Sequence, residues 1–144
     1  MQMGTRYSSK VLFYSIVIKI GMAYQRAPFD PFLNGTQCQL DAQLMQYLGV
    51  NVIRSTPPPL SMIGTDYIAY HVDPTGNHDE CMQAFATAGI YLFLDLDTFN
   101  TQIEQSNPMW NASMYAAFTK VIDAFDQYEN LAGFFIANEV GLPD

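Results

Sequence analysis

The chain contains few basic residues. Its 144 residues include six Lys and Arg against 14 Asp and Glu, for a formal net charge of −8. Because clustered cations bind polyanions, this balance argues against nucleic acid or an anionic membrane surface as a partner. Hydrophobic residues make up 49% and aromatics 14%, which is typical of a single globular domain. This composition suits a neutral polar ligand such as a sugar, but it also suits an ordinary core, which is the interpretation we favour.

Cysteine is also scarce, and no glycine-rich phosphate loop is present. Cys38 and Cys81 are too few for a disulfide scaffold, and their spacing does not resemble a zinc motif. They permit one bridge or two buried thiols. Without a phosphate loop, a nucleotide-binding fold has little support. We therefore expect no metal and no cofactor.

Long apolar runs are absent as well. Residues 11–23 form an apolar stretch, but Lys19 interrupts it and it is too short to cross a bilayer. It has the features of a weak signal peptide, with Gly21 to Ala23 as the cleavage region, or of a buried strand. We favour the strand, because cleavage there would remove the first apolar strand of the chain.

Strand-like and helix-like segments alternate through the rest of the sequence. The predicted strands are 11–23, Val50–Arg54, Ile90–Asp95 and 131–137. The first intervening helix has a predicted apolar face made of Leu40, Leu44, Met45 and Leu48. The third has a predicted cap at Ser113 and an apolar face of Met114, Phe118, Val121, Ile122 and Phe125, and its Phe and Tyr residues are expected in the core. This order is the pattern of parallel βαβ units.

The second helix carries a predicted capping box. Asn77 is placed to cap it, and Glu80 follows three residues later. His71 and His78, with Asp79 and Glu80, are interpreted as capping or surface residues rather than as a metal site. Residues 55–69 precede this helix and show no period, so they are predicted to form an unusually long loop.

The last predicted strand ends in an Asn-Glu pair, Asn138 and Glu139. In parallel α/β barrels catalytic side chains lie at the carboxyl ends of the strands. A carboxylic acid held there among apolar neighbours has a raised pKa and can act as a general acid. Considered alone, this pair is a weak motif.

Several longer blocks resemble one family. In order they are Gly21–Gln25, Gly49–Arg54, Tyr70–Thr75, Asn77–Met82, Ala88–Tyr91, Leu94–Leu96, Val121–Phe125 and Gly133–Val140. Together they resemble the fungal β-1,3-glucanosyltransferases of glycoside hydrolase family 72, over nearly all of 18–140. The resemblance implies an α/β fold, the N-terminal half of a (β/α)8 TIM barrel with about four βα units, in which 1–144 form part of a catalytic domain.

The resemblance also implies roles for individual residues. Glu139 falls on the acid/base of a retaining enzyme, and Asn138 beside it holds the region of the substrate's 2-hydroxyl. Gln25, Tyr70 and Asp95 fall on positions that line the donor cleft. The donor and acceptor are β-1,3-glucan oligosaccharides or polysaccharides, which a transferase elongates during fungal cell-wall biogenesis.

Further implications concern processing. Cys38 and Cys81 match a family disulfide. The family is secreted to the cell surface, usually held at the plasma membrane by a glycosylphosphatidylinositol anchor or in the cell wall, and often glycosylated. The tripeptides that begin at Asn34 and Asn111 are therefore candidate glycosylation sites.

Two departures from the family pattern lower the expected activity. Residues 55–69 interrupt two matching blocks, and we interpret this insertion as translated intron or an error of the gene model. The family nucleophile follows strand 7, beyond Asp144. A retaining mechanism needs both carboxyl groups, so we expect a truncated, inactive chain. The alternative is a non-catalytic glucan-binding pseudoenzyme fragment.

Overall fold

Strands and helices alternate along the chain, as the sequence predicts. A computed structural model describes residues 20–24, 30–55, 72–96, 103 and 107–137. In chain order the elements are β1 (Gly21–Tyr24), a 3-10 turn (Pro31–Leu33), α1 (Gly35–Tyr47), β2 (Val52–Ser55), α2 (Asp79–Thr87), β3 (Tyr91–Asp95), α3 (Ala112–Phe125) and β4 (Leu131–Phe135).

The strands form one parallel sheet in the order β1-β2-β3-β4. Its register aligns Ala23 with Arg54, and Arg54 with Phe93. An irregularity between Leu92 and Phe93 shifts the pairing of β3 with β4, so that Asp95 pairs with Phe135. Parallel neighbours joined by helical segments confirm the predicted βαβ pattern.

The hydrophobic core lies between the sheet and the helices. Ile53, Leu92 and Leu94 are fully buried within it. The helices contribute Met45, Phe85, Phe118, Val121 and Phe125. Because side chains alternate along a strand, the opposite face of the sheet carries Arg54, Phe93 and Asp95. This second face contains the candidate site.

The predicted apolar face of α1 is wrong in three of its four residues. Met45 is buried, but Leu40, Leu44 and Leu48 are exposed by 58%, 59% and 49%. The buried side of the helix consists of Gly35, Cys38, Ala42 and Met45. Small residues and a cysteine dominate this stripe because α1 packs closely against α2, so counting large apolar residues selected the wrong face.

A disulfide and a close glycine contact hold α1 against α2. Cys38 and Cys81 form a disulfide with an S–S distance of 2.04 Å and a Cα–Cα distance of 5.1 Å, which confirms the predicted pairing. At the first turn of α1, a Cβ on Gly35 would clash with the Glu80 side chain. Glycine is therefore required for the two helix starts to approach each other.

The capping box predicted for α2 is wrong. The helix begins at Asp79, and the Oδ1 of Asn77 accepts a hydrogen bond from the Asp79 backbone N–H at 2.9 Å. The residue that precedes the helix is His78, whose side chain makes no cap hydrogen bond. His78 is 2% exposed, which corrects its predicted surface or capping role. It turns inward to a buried carboxylate instead.

The start of α3 also differs from the prediction by two residues. The cap is Asn111, not Ser113, and its Oδ1 accepts hydrogen bonds from the backbone N–H groups of Ser113 and Met114, each at 3.0 Å. The apolar face is confirmed, with Met114, Phe118, Val121 and Phe125 buried. Tyr115, expected in the core, is 62% exposed.

Part of the predicted insertion belongs to the sheet. Ser55, the first residue of the loop predicted over 55–69, is the last residue of β2 and is 1% exposed. Residues 56–69 lie outside the described residues, as do 1–19. The start of the loop is therefore corrected by one residue, and the interpretation of the remainder as an insertion stays a prediction.

Candidate active site at the carboxyl edge of the sheet

Arg54 and Asp95 meet where β2 and β3 end. Arg54 Nε donates to Asp95 Oδ1 at 3.0 Å, and Nη2 donates to Oδ2 at 3.3 Å. The two-point contact fixes the orientation of the carboxylate, because the planar guanidinium matches both of its oxygens. The Asp95 side chain is 2% exposed and that of Arg54 is 32% exposed. A fixed, nearly buried carboxylate thus lies at the carboxyl edge of the sheet.

The surroundings of Asp95 act on its charge in opposite directions. Burial raises the pKa of Asp95 above its ordinary value of 3.8, and the hydrogen bond and positive charge of Arg54 lower it. Burial is the larger effect. Arg54 therefore offsets part of the cost of holding a carboxylate in this position.

Two aromatic rings complete the described part of this face. The Arg54 guanidinium lies 4.1 Å from the centroid of the Phe135 ring, within the range of a cation–π contact. The rings of Phe93 and Phe135 are 5.5 Å apart, and both residues are half-buried. The face thus combines a carboxylate acceptor with apolar ring surface, the two features that bind the hydroxyls and the C–H faces of a sugar.

Only one of the predicted donor-cleft residues lies within this described cluster. Asp95 is at the predicted edge of the sheet. Gln25, Tyr70, Asn138 and Glu139 lie outside the described residues. Gln25 directly follows the last residue of β1, and Asn138 and Glu139 follow the last residue of β4 by three and four positions. In sequence, three of these four therefore come just after a strand's carboxyl end.

No role for Arg54, Phe93 or Phe135 was predicted from the sequence. The available sequence signal was Arg54, a single charged residue near the end of an apolar strand. The next strand along the chain ends in Asp95. Charged residues inside parallel strands are unusual, because both faces of such a sheet are normally covered. A carboxylate at the end of the neighbouring strand would have been the natural partner.

The block Asn77–Met82, which resembles the family sequence, makes contacts that stabilise the fold. Asp79 Oδ1 accepts a hydrogen bond from the Tyr128 hydroxyl at 2.7 Å. Burial, with a smaller contribution from this bond, raises the pKa of Tyr128 to about 12. The carbonyl of Met82 accepts from Asn130 Nδ2 at 3.1 Å. Within the described ranges no cluster of three or more His, Cys, Asp and Glu is arranged to hold a metal ion.

Both candidate glycosylation residues are helix caps. Asn34 Oδ1 accepts from the backbone N–H of Gln37 at 3.0 Å at the start of α1, as Asn111 does at the start of α3. Both asparagines are exposed. Capping uses only the Oδ1 atom, so the Nδ2 atom of each residue, the one that would carry a glycan, takes no part in the cap.

Comparison with known sequences identifies the class of protein. Residues 8–142 match the profile of the family described as glucanosyltransferase, glycoside hydrolase family 72. The chain therefore belongs to this family, as the sequence blocks predicted.

Individual relatives match over most of this chain. It is 37% identical over 130 residues to the 1,3-beta-glucanosyltransferase gas2 of Schizosaccharomyces pombe, covering 83% of this chain. It is 35% identical over 111 residues to the pH-responsive protein 1 of Candida albicans, covering 77% of this chain. The chain spans only 25% and 18% of the lengths of these two relatives.

Solved structures agree with this assignment. Saccharomyces cerevisiae Gas2p in complex with laminaritriose and laminaritetraose superposes with a TM-score of 0.69 at 34% identity, over 85% of this chain and 26% of that one. Gas2p in complex with laminaripentaose gives 0.70 at 33% identity, over 85% and 27%. The parallel sheet and its helices form part of a TIM barrel, which confirms the predicted fold class. No helix in the described ranges is long and apolar enough to cross a membrane.

Proposed function

We propose that this chain supplies the donor side of a β-1,3-glucanosyltransferase active site. The observation that carries the proposal is the Asp95 carboxylate, nearly buried at the carboxyl end of β3 and held by two hydrogen bonds from Arg54. Membership of the glucanosyltransferase family supports β-1,3-glucan as the ligand of this carboxylate. The laminari-oligosaccharides in the Gas2p complexes indicate the chemical class of ligand.

In this proposal Asp95 accepts hydrogen bonds from sugar hydroxyls, together with Gln25 and Tyr70. Because Arg54 donates to both oxygens of the carboxylate, the orientation of Asp95 is set before the ligand arrives, which reduces the entropic cost of binding. The exposed parts of Phe93 and Phe135 contribute apolar contact. A site made in this way suits a neutral polymer and agrees with the low cation content.

Glu139 is the proposed general acid and base, and Asn138 the residue that holds the 2-hydroxyl region. In a retaining reaction the protonated carboxyl donates its proton to the leaving glycosidic oxygen while a second carboxylate attacks the anomeric carbon. The glycosyl–enzyme ester then reacts with the hydroxyl of an acceptor sugar, whose proton returns to Glu139. Because Asp95 is already paired with Arg54, it is a binding residue, and the nucleophile must be another carboxylate.

Two measurements test this assignment. Calorimetric titration of the 144-residue chain with laminaripentaose should detect binding that Asp95→Ala weakens at least tenfold. Binding unchanged in Asp95→Ala would contradict the role of Asp95. A chimera in which residues 1–144 replace the matching quarter of the S. pombe relative should elongate laminaripentaose and lose transfer with Glu139→Gln. Undiminished transfer by that variant would remove Glu139 from catalysis, and binding without transfer in the unsubstituted chimera would favour the glucan-binding alternative.

We further propose that the protein is secreted to the cell surface and N-glycosylated at Asn34 and Asn111. The support is that both residues are exposed and that capping leaves Nδ2 available. Anchoring by glycosylphosphatidylinositol, or retention in the cell wall, would belong to the longer protein typical of the family. Expression through a fungal secretory pathway, followed by peptide N-glycosidase treatment, should convert both asparagines to aspartate.

Asn34→Asp and Asn111→Asp are the matched controls for that experiment, because aspartate also caps a helix but accepts no glycan. Secretion without a mass change on deglycosylation would contradict the modification.

For residues 56–69 we keep the proposal of translated intron. Sequencing of the mature transcript tests it directly, and a spliced message that retains these codons would refute it.

A further inference from the structure

A one-residue irregularity in the sheet determines which side chains of β4 face the candidate site. Leu92 pairs with Leu131, whereas the next residue of β3, Phe93, pairs with Gly133. β4 therefore has one extra residue at this point, Ala132, which is the mark of a β-bulge. Bulges are rare in parallel sheets and are over-represented beside active sites.

The bulge exchanges the two phenylalanines of β4 between the faces of the sheet. With regular pairing after Leu92, Asp95 would lie opposite Phe134, but with the bulge it pairs with Phe135. Because paired residues of parallel strands share a face and side chains alternate along each strand, the shift places Phe135 on the face of Asp95. Phe134 accordingly packs against the hydrophobic core on the other face.

On the face of the candidate site, Phe135 contacts an aromatic ring and a guanidinium. Its ring centroid is 5.5 Å from that of Phe93 and 4.1 Å from Cζ of Arg54. The Phe93 ring in turn lies against Gly133, where an added Cβ would be 3.3 Å from Cε1 of Phe93. Since a side chain at this position would compete for the same space, glycine leaves room for the Phe93 ring beside Phe135.

We propose that Phe135 is a positioning residue for Asp95 and acts through Arg54, an inference that rests on the function proposed above. Arg54 donates two hydrogen bonds to the Asp95 carboxylate. Fixing a long side chain costs rotamer entropy, and that of Arg54 is 32% exposed. The attraction between the Phe135 ring and the cation offsets part of this cost. The bulged strand β4 thus helps to set the direction of a binding carboxylate that belongs to β3.

The experiment compares Phe135→Leu, which keeps apolar volume without an aromatic face, with Phe135→Tyr, which keeps the ring. Phe134→Leu is the matched control, because it makes the same change one residue earlier, on the core face. The exchange rate of the Arg54 Nε proton, which is donated to Asp95, is measured by NMR on the ligand-free chain. Lost contact between the ring and a sugar cannot affect this rate. The affinity for laminaripentaose is measured by calorimetry.

We expect Phe135→Leu to speed exchange of the Arg54 Nε proton and to weaken laminaripentaose binding, each about fivefold. Phe135→Tyr and Phe134→Leu should each change these two quantities by less than about twofold. Equal exchange rates in Phe135→Leu and Phe134→Leu would overturn the proposal.

The binding data also separate positioning from direct contact with the ligand. In an Asp95→Ala background, Phe135→Leu should weaken binding by less than about twofold, because leucine keeps apolar contact and the carboxylate that Arg54 orients is absent. An equal loss in both backgrounds would overturn the positioning role. If the unsubstituted chain binds no laminaripentaose, the proposed function fails. Faster exchange in Phe135→Leu would then still support Phe135 as the residue that holds the Arg54–Asp95 pair, and unchanged exchange would refute it.

Discussion

Removal of the Arg54 guanidinium should destabilise the chain through Asp95. Replacement of Arg54 by Met keeps apolar contact with Phe135 but removes the two hydrogen bonds that the guanidinium donates to a 2% exposed carboxylate. Loss of one partner from a buried ion pair costs roughly 3–5 kcal/mol of unfolding free energy. Because Arg54 is 32% exposed, water screens part of the interaction, and we expect about 2–3 kcal/mol.

A double-mutant cycle separates the pair from its surroundings. Asp95→Asn removes the charge that needs compensation, so Arg54→Met should cost at least about 1 kcal/mol less in that background. Urea unfolding is followed by far-UV circular dichroism and by the fluorescence of Trp110, the single tryptophan, which packs on Phe118 of α3. Additive effects of the two substitutions would refute the reasoning, because independent sites show no coupling energy.

The pH dependence provides a second check on the same pair. Burial raises the pKa of Asp95 above 3.8 in the folded state, so the folded chain holds this proton more tightly than the unfolded chain. The stability that the protonated form contributes is present below pH 3.8 and is lost as the pH rises through the raised pKa. Asp95→Asn has no titrating group at this position. The free energy of unfolding of the wild type should therefore fall relative to that of Asp95→Asn as the pH rises across this window. In Arg54→Met the window should extend to higher pH, and a difference that does not change with pH would contradict the assignment.

Two further substitutions test the packing of α1 on α2. Replacement of both Cys38 and Cys81 by Ala should lower the free energy of unfolding by roughly 4 kcal/mol, because the bridge closes a loop with a sequence separation of 43. Urea unfolding measures this loss, and reduction of the wild-type disulfide should reproduce it. A loss below about 1 kcal/mol would contradict the prediction. Gly35→Ala should destabilise by roughly 1–3 kcal/mol, because the new methyl meets Glu80. Gly21→Ala, where no atom lies within 4 Å of the added Cβ, is the control, and an equal effect of the two substitutions would refute the clash.

The strand order was predictable because it depends on local pattern alone. Short apolar runs such as 90–95 and 131–137, separated by helical segments, leave few arrangements other than a parallel sheet. The ends of β2, β3 and β4 moved by at most two residues, with Tyr91 rather than Ile90 as the first residue of β3. For the buried strand predicted over 11–23, the described strand β1 begins only at Gly21 and is mostly exposed, and 11–19 lie outside the described residues. The disulfide followed from the family resemblance, since two cysteines by themselves permit a bridge or two thiols.

What the sequence could not provide was long-range pairing. The buried side of α1 depends on how closely α2 approaches, and this is set by Gly35 and the Cys38–Cys81 bridge rather than by the large leucines. His78 was expected at the surface because a histidine beside Asp79 and Glu80 has the composition of an exposed helix start. Its partner, Asp30, lies 48 residues earlier in the chain, and no local pattern connects the two.

Two of the blocks that match the family differ in where their side chains lie. The block 77–82 directs each of its contacts into the protein: Asn77 to the start of α2, His78 to Asp30, Asp79 to Tyr128, and Cys81 to α1. The block thus fastens the first two βα units of this chain together. The Asp95 position is different, because its carboxylate lies on the sheet face opposite the helices, where we propose that it binds a ligand. The proposed chemistry therefore depends on the strand ends, and the signature block contributes by holding the segments between them.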